Sequence, residues 1–184
     1  NGAMKIRFPT IAIVGTGAMG RGIAQIAAQA GSQVLLLDAT PGAAQAAQTA
    51  LQDQWAKLVT KGRIAADEAS AFSARLRPVQ AVAELAGCDL VVEAIVERLD
   101  IKKTLFAELE AVVRPDAVLA TNTSSLSVTA IGAGLQRPER LAGFHFFNPV
   151  PLMKVVEVIA GLKTDAAVCT ALYDYAKQMG HTPV

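Results

Sequence analysis

Short apolar runs alternate along the chain with longer stretches in which apolar residues recur every three or four positions. The run at 10–14 (TIAIV) predicts a buried strand, and the run at 33–37 (QVLLL) predicts a second. Between them, residues 18–30 predict a helix that ends at Gly31. A strand, a helix and a strand in this order are typical of a βαβ unit, in which the two strands lie parallel in one sheet.

The same alternation continues to the end of the chain. Further strands are predicted at 90–94, 118–121, 141–147 and 155–159, with the beginning of a last one at 181–184, and further helices at 41–61, 67–76, 101–113 and 165–179. The first two of these helices exceed what a minimal crossover needs, so they predict a helical protrusion after the second strand. The fold class is α/β, with a mostly parallel sheet of six to eight strands and helices on both faces.

Composition narrows the classes of partner. The 184 residues are 52% hydrophobic and 18% charged, and 17 Lys and Arg stand against 16 Asp and Glu. Because there is no basic excess and no apolar run near the roughly 20 residues of a membrane span, we expect neither a nucleic-acid nor a membrane partner. Cys88 and Cys169 stand apart from other metal-ligating residues, so we expect no metal site and a reducing, cytoplasmic setting. Asn1 to Ala3 resemble a leader left by cloning, and we expect Met4 to be the native start.

A glycine-rich sequence, GTGAMG at 15–20, follows the first predicted strand and opens the first predicted helix. Gly15 permits a tight turn, Gly17 leaves room for a pyrophosphate beside the backbone, and Gly20 lets helix and strand pack closely. The helix N-terminus adds free N–H groups and a partial positive charge. The predicted dinucleotide contacts in this segment are Gly15, Thr16, Gly17, Ala18, Met19 and Gly20.

Asp38 stands at the carboxyl end of the second predicted strand. A carboxylate there can accept both ribose hydroxyls of a dinucleotide and repels a 2′-phosphate. No Lys or Arg follows in 39–42, so the sequence predicts a Rossmann-type domain that binds NAD rather than NADP. Two alternatives stay open: Asp38 ends a strand or caps a helix, and FAD shares the glycine fingerprint.

His145 is predicted at the end of a strand, before a proline-rich turn. Ligands of open α/β sheets bind at the carboxyl ends of strands, so His145 is a candidate general base, although a packed histidine among phenylalanines is nearly as good an interpretation. Glu157 interrupts an apolar strand and needs a cation or donor nearby. If the two strands are antiparallel neighbours, Glu157 can meet His145 and orient it.

The segment TNTSS at 121–125 lies between a predicted strand and a helix start. Its residues are typical helix caps, and capping is the favoured interpretation from sequence alone. The alternative is that hydroxyls at this sheet edge bind a substrate oxygen or the nicotinamide end of the dinucleotide.

With these residues in view, the chain resembles the NAD-binding domain of L-3-hydroxyacyl-CoA dehydrogenases, including the 3-hydroxybutyryl-CoA dehydrogenases. The segments that carry the resemblance are GTGAMGRGIAQIAA, DLVVEAIVE followed by Lys102, TNTSSL, and GFHFFNPVPLMKVVEVI. The resemblance spans essentially the whole chain, so we expect one NAD-binding domain over 4–184.

The resemblance implies oxidation of the 3-hydroxyl of an acyl-CoA, with hydride transfer to NAD. It implies that His145 is the base, that Glu157 orients the imidazole, and that Ser124 and Asn148 contact substrate and cofactor near the reacting carbon. It further implies cofactor contacts by Glu97 and Lys102 and a coenzyme A contact by Lys61, for which a solvated surface position is an equal alternative. Gln54 departs from the serine that relatives carry at a coenzyme A contact, which puts that contact in doubt.

Members of the family continue into an all-helical domain that forms a homodimer, and this chain stops before it. We therefore expect the isolated domain to bind NAD but to turn over substrate poorly. Two other functions remain open at this point: a non-catalytic dinucleotide-binding relative, and a dehydrogenase of free 3-hydroxy acids.

Overall fold

The computed structural model describes residues 5–184, so the predicted start at Met4 and the three residues before it lie outside the described residues. The strands are β1 (Thr10–Val14), β2 (Gln33–Leu37), β3 (Leu76–Pro78), β4 (Leu90–Glu93), β5 (Val118–Thr121), β6 (Leu141–Phe146), β7 (Val155–Ala160) and β8 (Thr182–Pro183). The helices are α1 (Ala18–Ala30), α2 (Ala43–Thr60), α3 (Ala66–Ala74), α4 (Leu99–Val112), α5 (Val128–Gly132) and α6 (Ala166–Gln178), with 3₁₀ turns at Val82–Leu85 and Pro138–Arg140. Across residues 5–184, the helices lack the length and apolar character that crossing a bilayer requires.

The eight strands form one sheet in the order β3-β2-β1-β4-β5-β6-β7-β8. All neighbouring pairs are parallel except β6 and β7, which are antiparallel. The strand order reverses between β1 and β4, and such a switch point is where open α/β sheets bind their ligands. The predicted Rossmann-type, mostly parallel sheet is confirmed.

Helices cover both faces of the sheet, as the alternation along β1 shows. Ile11 and Ile13 belong to one buried core, which α1, α2 and α6 complete, whereas Ala12 and Val14 belong to a second core completed by α4 and α5. Because successive side chains of a strand point to opposite faces, a strand buried on both faces has no polar position and shows a continuous apolar run.

The predicted helical protrusion is the pair α2 and α3. Trp55 of α2 is completely buried, packs against Phe72 of α3 at 5.5 Å between ring centroids, and donates from Nε1 to Gln29 of α1 at 2.9 Å. These contacts anchor the base of the pair to the domain, while the far end at residues 60–63 is exposed.

One predicted boundary is wrong. Leu76 was expected to end a helix, but it begins β3, which pairs in parallel with β2 at the sheet edge. The strand has only three residues, too few for an alternating pattern, and its Pro78 is tolerated because an edge strand has one side without ladder hydrogen bonds.

The turn that follows β6 packs directly on α1. At Gly22 of α1, a Cβ would lie 2.8 Å from Val150 Cβ, so the glycine permits a contact that any side chain would obstruct. On its other side, the Val150 carbonyl lies 3.0 Å from Nε2 of the buried His181. The turn is therefore held between the first helix and the end of the chain.

Candidate active site

The glycine-rich turn after β1 is shaped by two glycines that the backbone itself requires. Gly15 has φ of 96°, and a Cβ there would lie 2.6 Å from the Ala94 carbonyl oxygen. A Cβ at Gly20 would lie 1.7 Å from the Gly15 carbonyl oxygen. Gly15 therefore permits the tight turn and Gly20 the close packing of α1 against it, as predicted.

Gly17 differs, because neither its backbone nor its neighbours require a glycine. Its φ is −67°, which any residue can adopt, and a Cβ there would meet no atom within 4 Å. Gly17 also precedes the first turn of α1, whose N–H groups have no partner within the helix. Its missing side chain leaves open the space next to those amides, which fits the pyrophosphate of a dinucleotide.

The two glycines predict opposite outcomes for the same substitution. We expect Gly17→Ala to leave the free energy of unfolding nearly unchanged and to weaken NADH binding, because the new methyl group fills ligand space. We expect Gly20→Ala to cost about 1–3 kcal/mol of stability, because α1 must move away from the turn. Urea denaturation and NADH titration of both variants measure the two effects, and equal loss of stability in both would contradict the assignment of Gly17.

Asp38 lies at the end of β2 and is bonded to the glycine-rich turn. Its Oδ2 accepts from the backbone N–H and the hydroxyl of Thr16, at 2.7 and 2.8 Å, and its Oδ1 accepts from the Thr40 N–H at 2.9 Å. Burial raises the pKa of Asp38, but the backbone N–H groups of Thr16 and Thr40 outweigh it and leave the pKa below its usual value. The carboxylate is therefore ionised at neutral pH, as the predicted repulsion of a 2′-phosphate requires.

These bonds modify two sequence predictions. A carboxylate offers about four acceptor positions, and the two threonines occupy three of those on Asp38, so about one remains for a ribose hydroxyl rather than two. The N–H and hydroxyl of Thr16 are also taken up by this contact. Thr16 therefore fixes Asp38 to the turn, and its predicted direct contact with the dinucleotide stays a prediction.

Two cavities lie along the carboxyl edge of the strands, on either side of Ile95. One, of about 350 Å³, is lined by Val14 of β1, Ala39 and both apolar and polar residues of α4, among them Ile101 and Glu108. The other, of about 300 Å³, is lined by Met19 of α1 and by the ends of β4, β5 and β6. Together they form an extended crevice across the glycine-rich turn, which suits a molecule with two ring systems joined by a pyrophosphate.

His145 and Glu157 meet across the antiparallel strands β6 and β7. They are register partners, and His145 Nδ1 lies 2.7 Å from Glu157 Oε1. A carboxylate oxygen only accepts, so Nδ1 carries the proton and the lone pair of a neutral imidazole is on Nε2. The His145 side chain is 15% exposed, lies 4.6 Å from the Phe147 ring and lines the 300 Å³ cavity, so it is both packed and accessible.

A buried ion-pair network supports the neighbouring wall. The ammonium of Lys102 is 1% exposed and bonds to the buried Glu93 and, at 3.0 Å, to Glu97. Thr121 donates to Glu93 at 2.6 Å, and the Ile95 N–H donates to it at 2.8 Å. Lys102 thus reaches the crevice through Glu97, and its predicted direct contact with the dinucleotide stays a prediction.

Glu97 lines the same cavity as His145 and is held from three sides. Its Oε2 accepts from the hydroxyls of Thr123 at 2.7 Å and Ser125 at 2.9 Å, and its Oε1 faces Lys102. Burial raises the pKa of Glu97, but these hydrogen bonds and the charge of Lys102 outweigh it and hold the pKa at about 2. Glu97 is therefore a fixed negative charge in the cavity at any ordinary assay pH.

The helix-cap interpretation of TNTSS is wrong. Helix α5 begins later, at Val128, and its cap is Ser127, whose hydroxyl accepts from the Ala130 N–H at 3.1 Å. The side chain of Ser124 is instead exposed and lines the cavity beside His145. The segment can serve the sheet edge because the helix takes its cap from outside it.

Asn148 connects the His145 cavity to a neighbouring cavity of about 300 Å³, since it lines both. The neighbouring cavity lies between α1, α2 and the turn after β6, and Gln54 and Ala18 are on its wall. Lys61, the predicted coenzyme A contact, is exposed at the end of α2 and lines neither cavity. The structure therefore brings Asn148 and Gln54 to the site but not Lys61.

Sequence reasoning missed Glu93, Thr123 and Asn122. Glu93 is an acidic residue at the end of an apolar strand, so the argument that identified Glu157 applies to it equally. Asn122, whose Oδ1 accepts from the Phe146 N–H at 2.8 Å, lay within a noted motif but gave no signal of its own. Within 5–184, His, Cys, Asp and Glu residues form no group of three or more that could hold a metal ion.

Comparison with known proteins agrees with this geometry. Residues 10–184 match the family model described as 3-hydroxyacyl-CoA dehydrogenase, NAD binding domain. The chain is 46% identical over 181 residues to the 3-hydroxyadipyl-CoA dehydrogenase of Escherichia coli (strain K12), covering 98% of this chain and 38% of that protein. It is 38% identical over 170 residues to the 3-hydroxybutyryl-CoA dehydrogenase of Bradyrhizobium diazoefficiens, covering 92% of this chain and 58% of that protein.

Solved structures show the same agreement. The crystal structure of 3-hydroxybutyryl-CoA dehydrogenase from Escherichia coli K12 superposes with a TM-score of 0.94 at 46% identity, covering 96% of this chain and 38% of that one. The chain thus spans between about two fifths and three fifths of the length of these relatives. The family match over 10–184 and the glycine-rich crevice together identify the chain as a member of the 3-hydroxyacyl-CoA dehydrogenase family, of which it forms the NAD-binding domain.

Proposed function

We propose that the protein containing this domain oxidises the 3-hydroxyl of (S)-3-hydroxyacyl-CoA to a 3-oxo group with NAD, and catalyses the reverse reduction. The observation that carries the proposal is the 2.7 Å contact of His145 Nδ1 with Glu157, which leaves Nε2 available as a base in the cavity that Ser124 and Asn148 also line. Relatives named 3-hydroxyadipyl-CoA and 3-hydroxybutyryl-CoA dehydrogenase support the acyl-CoA substrate class.

In the proposed reaction, Nε2 of His145 accepts the proton of the 3-hydroxyl. Bound NAD supplies the acceptor for the hydride that leaves carbon 3. The imidazolium that forms is stabilised by the Glu157 carboxylate at its Nδ1 side. In the reverse direction the imidazolium returns its proton to the 3-oxo oxygen, so protons and electrons balance in both directions.

Other side chains of the cavity position the reactants. The Ser124 hydroxyl and the Asn148 amide are exposed on the same wall as His145, and both can hydrogen-bond the substrate oxygen or the coenzyme. Lys102 positions Glu97 rather than facing the cavity. A contact of Lys61 with the phosphates of coenzyme A is also part of the proposal, and the positive charge of the side chain is what supports it.

A two-step experiment tests the function. Calorimetric titration of this chain with NADH should show binding. Addition of acetoacetyl-CoA to the full-length enzyme with NADH should then lower the NADH absorbance, because NADH is oxidised. Free acetoacetate under the same conditions should not, because it lacks the thioester and coenzyme A. Turnover of the free acid in place of the thioester would favour a dehydrogenase of free 3-hydroxy acids, and coenzyme binding without turnover of either by the full-length enzyme would favour a non-catalytic relative.

We propose in addition that the full-length protein is a cytoplasmic homodimer, formed through a helical domain as in the family that the sequence resembles. The exposed apolar side chains of Leu152, Met153 and Val155, next to the cavities, support a surface that a further domain covers. The greater length of the relatives supports the same arrangement.

A further inference from the structure

Near His145, the edge of β6 that faces β5 is bonded to a side chain rather than to the β5 backbone. The backbone pairing of β5 with β6 ends at Thr121 and Gly143, before His145 is reached. Past that point the Phe146 N–H meets Oδ1 of Asn122 at 2.8 Å. Asn122 therefore supplies the acceptor that β5 no longer provides, at the peptide joining His145 to Phe146, and a backbone N–H left without an acceptor would be costly.

This contact fixes which way the Asn122 amide faces. An N–H group needs an acceptor, so the oxygen of the amide faces Phe146 and the nitrogen, Nδ2, faces away from it. Asn122 lines the 300 Å³ cavity together with His145, and its Nδ2 makes no hydrogen bond to any residue of 5–184. The two N–H donors of Nδ2 thus belong to a side chain of the cavity wall and have no partner among residues 5–184.

The neighbouring groups give this donor a specific use. Glu97 only accepts hydrogen bonds, and His145 can hold a carbonyl oxygen only when its Nε2 is protonated. Among the other side chains of the cavity, the donors are the hydroxyl of Ser124 and the amides of Asn148 and Asn122. A carbonyl oxygen beside the imidazole needs an N–H or O–H donor. The amide of Asn122 is held in place by the backbone it supports, so it is pre-oriented for that task.

We propose that Asn122 has two functions in the proposed reaction: its Oδ1 positions the strand that carries His145, and its Nδ2 donates a hydrogen bond to a carbonyl oxygen bound in the cavity. The carbonyl belongs either to the carboxamide of the nicotinamide or to the acyl-CoA substrate. This inference rests on the proposed function for the identity of its ligands, while the contact with Phe146 does not depend on it.

Two substitutions separate the two functions. Asn122→Asp keeps an oxygen acceptor for the Phe146 N–H and removes the donor, whereas Asn122→Ala removes both. Gln136→Glu, an exposed amide-to-acid change outside the cavity, is the matched control. Amide hydrogen exchange should show Phe146 protected in Asn122→Asp as in the parent and exchanging faster in Asn122→Ala. Equal protection of Phe146 in the parent, Asn122→Asp and Asn122→Ala would overturn the positioning function, and Gln136→Glu should match the parent.

The donor is tested with two coenzymes, NADH and its thioamide analogue thio-NADH, whose sulfur is a poorer acceptor than oxygen. If Nδ2 binds the carboxamide, the parent should prefer NADH by about 3- to 10-fold, the range of one net hydrogen bond, and Asn122→Asp should lose that preference. The ratio cancels the added charge of Asp, which acts on both coenzymes alike.

If Nδ2 binds the substrate instead, the coenzyme ratio should not change, and the KM of the full-length enzyme for acetoacetyl-CoA should rise by a similar factor. Asn122→Asp with an unchanged coenzyme ratio and an unchanged KM would overturn the donor function. Absence of acetoacetyl-CoA turnover in the parent would count against the proposed function, whereas the coenzyme ratio and the exchange of Phe146 would still test Asn122.

Discussion

Replacing His145 with glutamine should lower the turnover of acetoacetyl-CoA with NADH by about 10²- to 10⁴-fold in the full-length enzyme, the range that general acid–base catalysis supplies. Glutamine fills similar space and can still hydrogen-bond Glu157, but it cannot take up and return a proton at neutral pH. Binding of NADH should be retained, because the glycine-rich turn and Asp38 are untouched. Initial rates from NADH absorbance, with coenzyme titration in parallel, measure both effects.

The second histidine provides the control. His181 is buried and contacts the Val150 carbonyl rather than the cavity. Glutamine keeps an N–H donor for that carbonyl, so His181→Gln should keep turnover near that of the parent, even if it lowers stability. Near-parental turnover of His145→Gln, or an equal loss in both variants, would refute the assignment of His145 as the base.

Replacing Lys102 with methionine should lower the free energy of unfolding by about 3–5 kcal/mol, because it leaves the buried Glu93 without its counter-charge. The hydrogen bonds from Thr121 and Ile95 remain, but they do not neutralise the carboxylate. The change corresponds to a fall in Tm of about 2–4 °C for each kcal/mol in a domain of this size. Urea denaturation at neutral pH measures the difference.

The double variant Lys102→Met with Glu93→Gln is the matched test of that cause. It removes both charges of the buried pair, so it should recover part of the lost stability, whereas Glu93→Gln alone leaves a buried ammonium with only Glu97. A loss below about 1 kcal/mol in Lys102→Met, or no recovery in the double variant, would show that neutralisation of the buried Glu93 charge is not what makes Lys102 stabilising.

The elements that the sequence predicted best are those whose bounds follow from the pattern of apolar residues within the element itself. Strands β1 and β2 and helix α1 have the predicted bounds, because apolar runs buried on both faces are separated by a periodic helix that stops at Gly31. Strand β3 was missed because its position depends on pairing with β2 at the sheet edge, which three residues do not reveal.

The candidate site divides in the same way. The contact of Glu157 with His145 could be predicted, since a carboxylate in an apolar strand requires a partner and the antiparallel turn brings one opposite. The three bonds from Thr16 and Thr40 to Asp38 could not, because they depend on how two loops approach each other. Asn122 likewise became visible only when the end of the β5 ladder was known.

The close approach of Gly22 to Val150 sets a limit on redesign of the coenzyme site. Any side chain introduced at position 22 to change the affinity for the dinucleotide would displace Val150 and the turn after β6. Asn148 lies in the same turn, so we expect it to move as well. We therefore expect libraries that vary position 22 to need compensating changes at position 150.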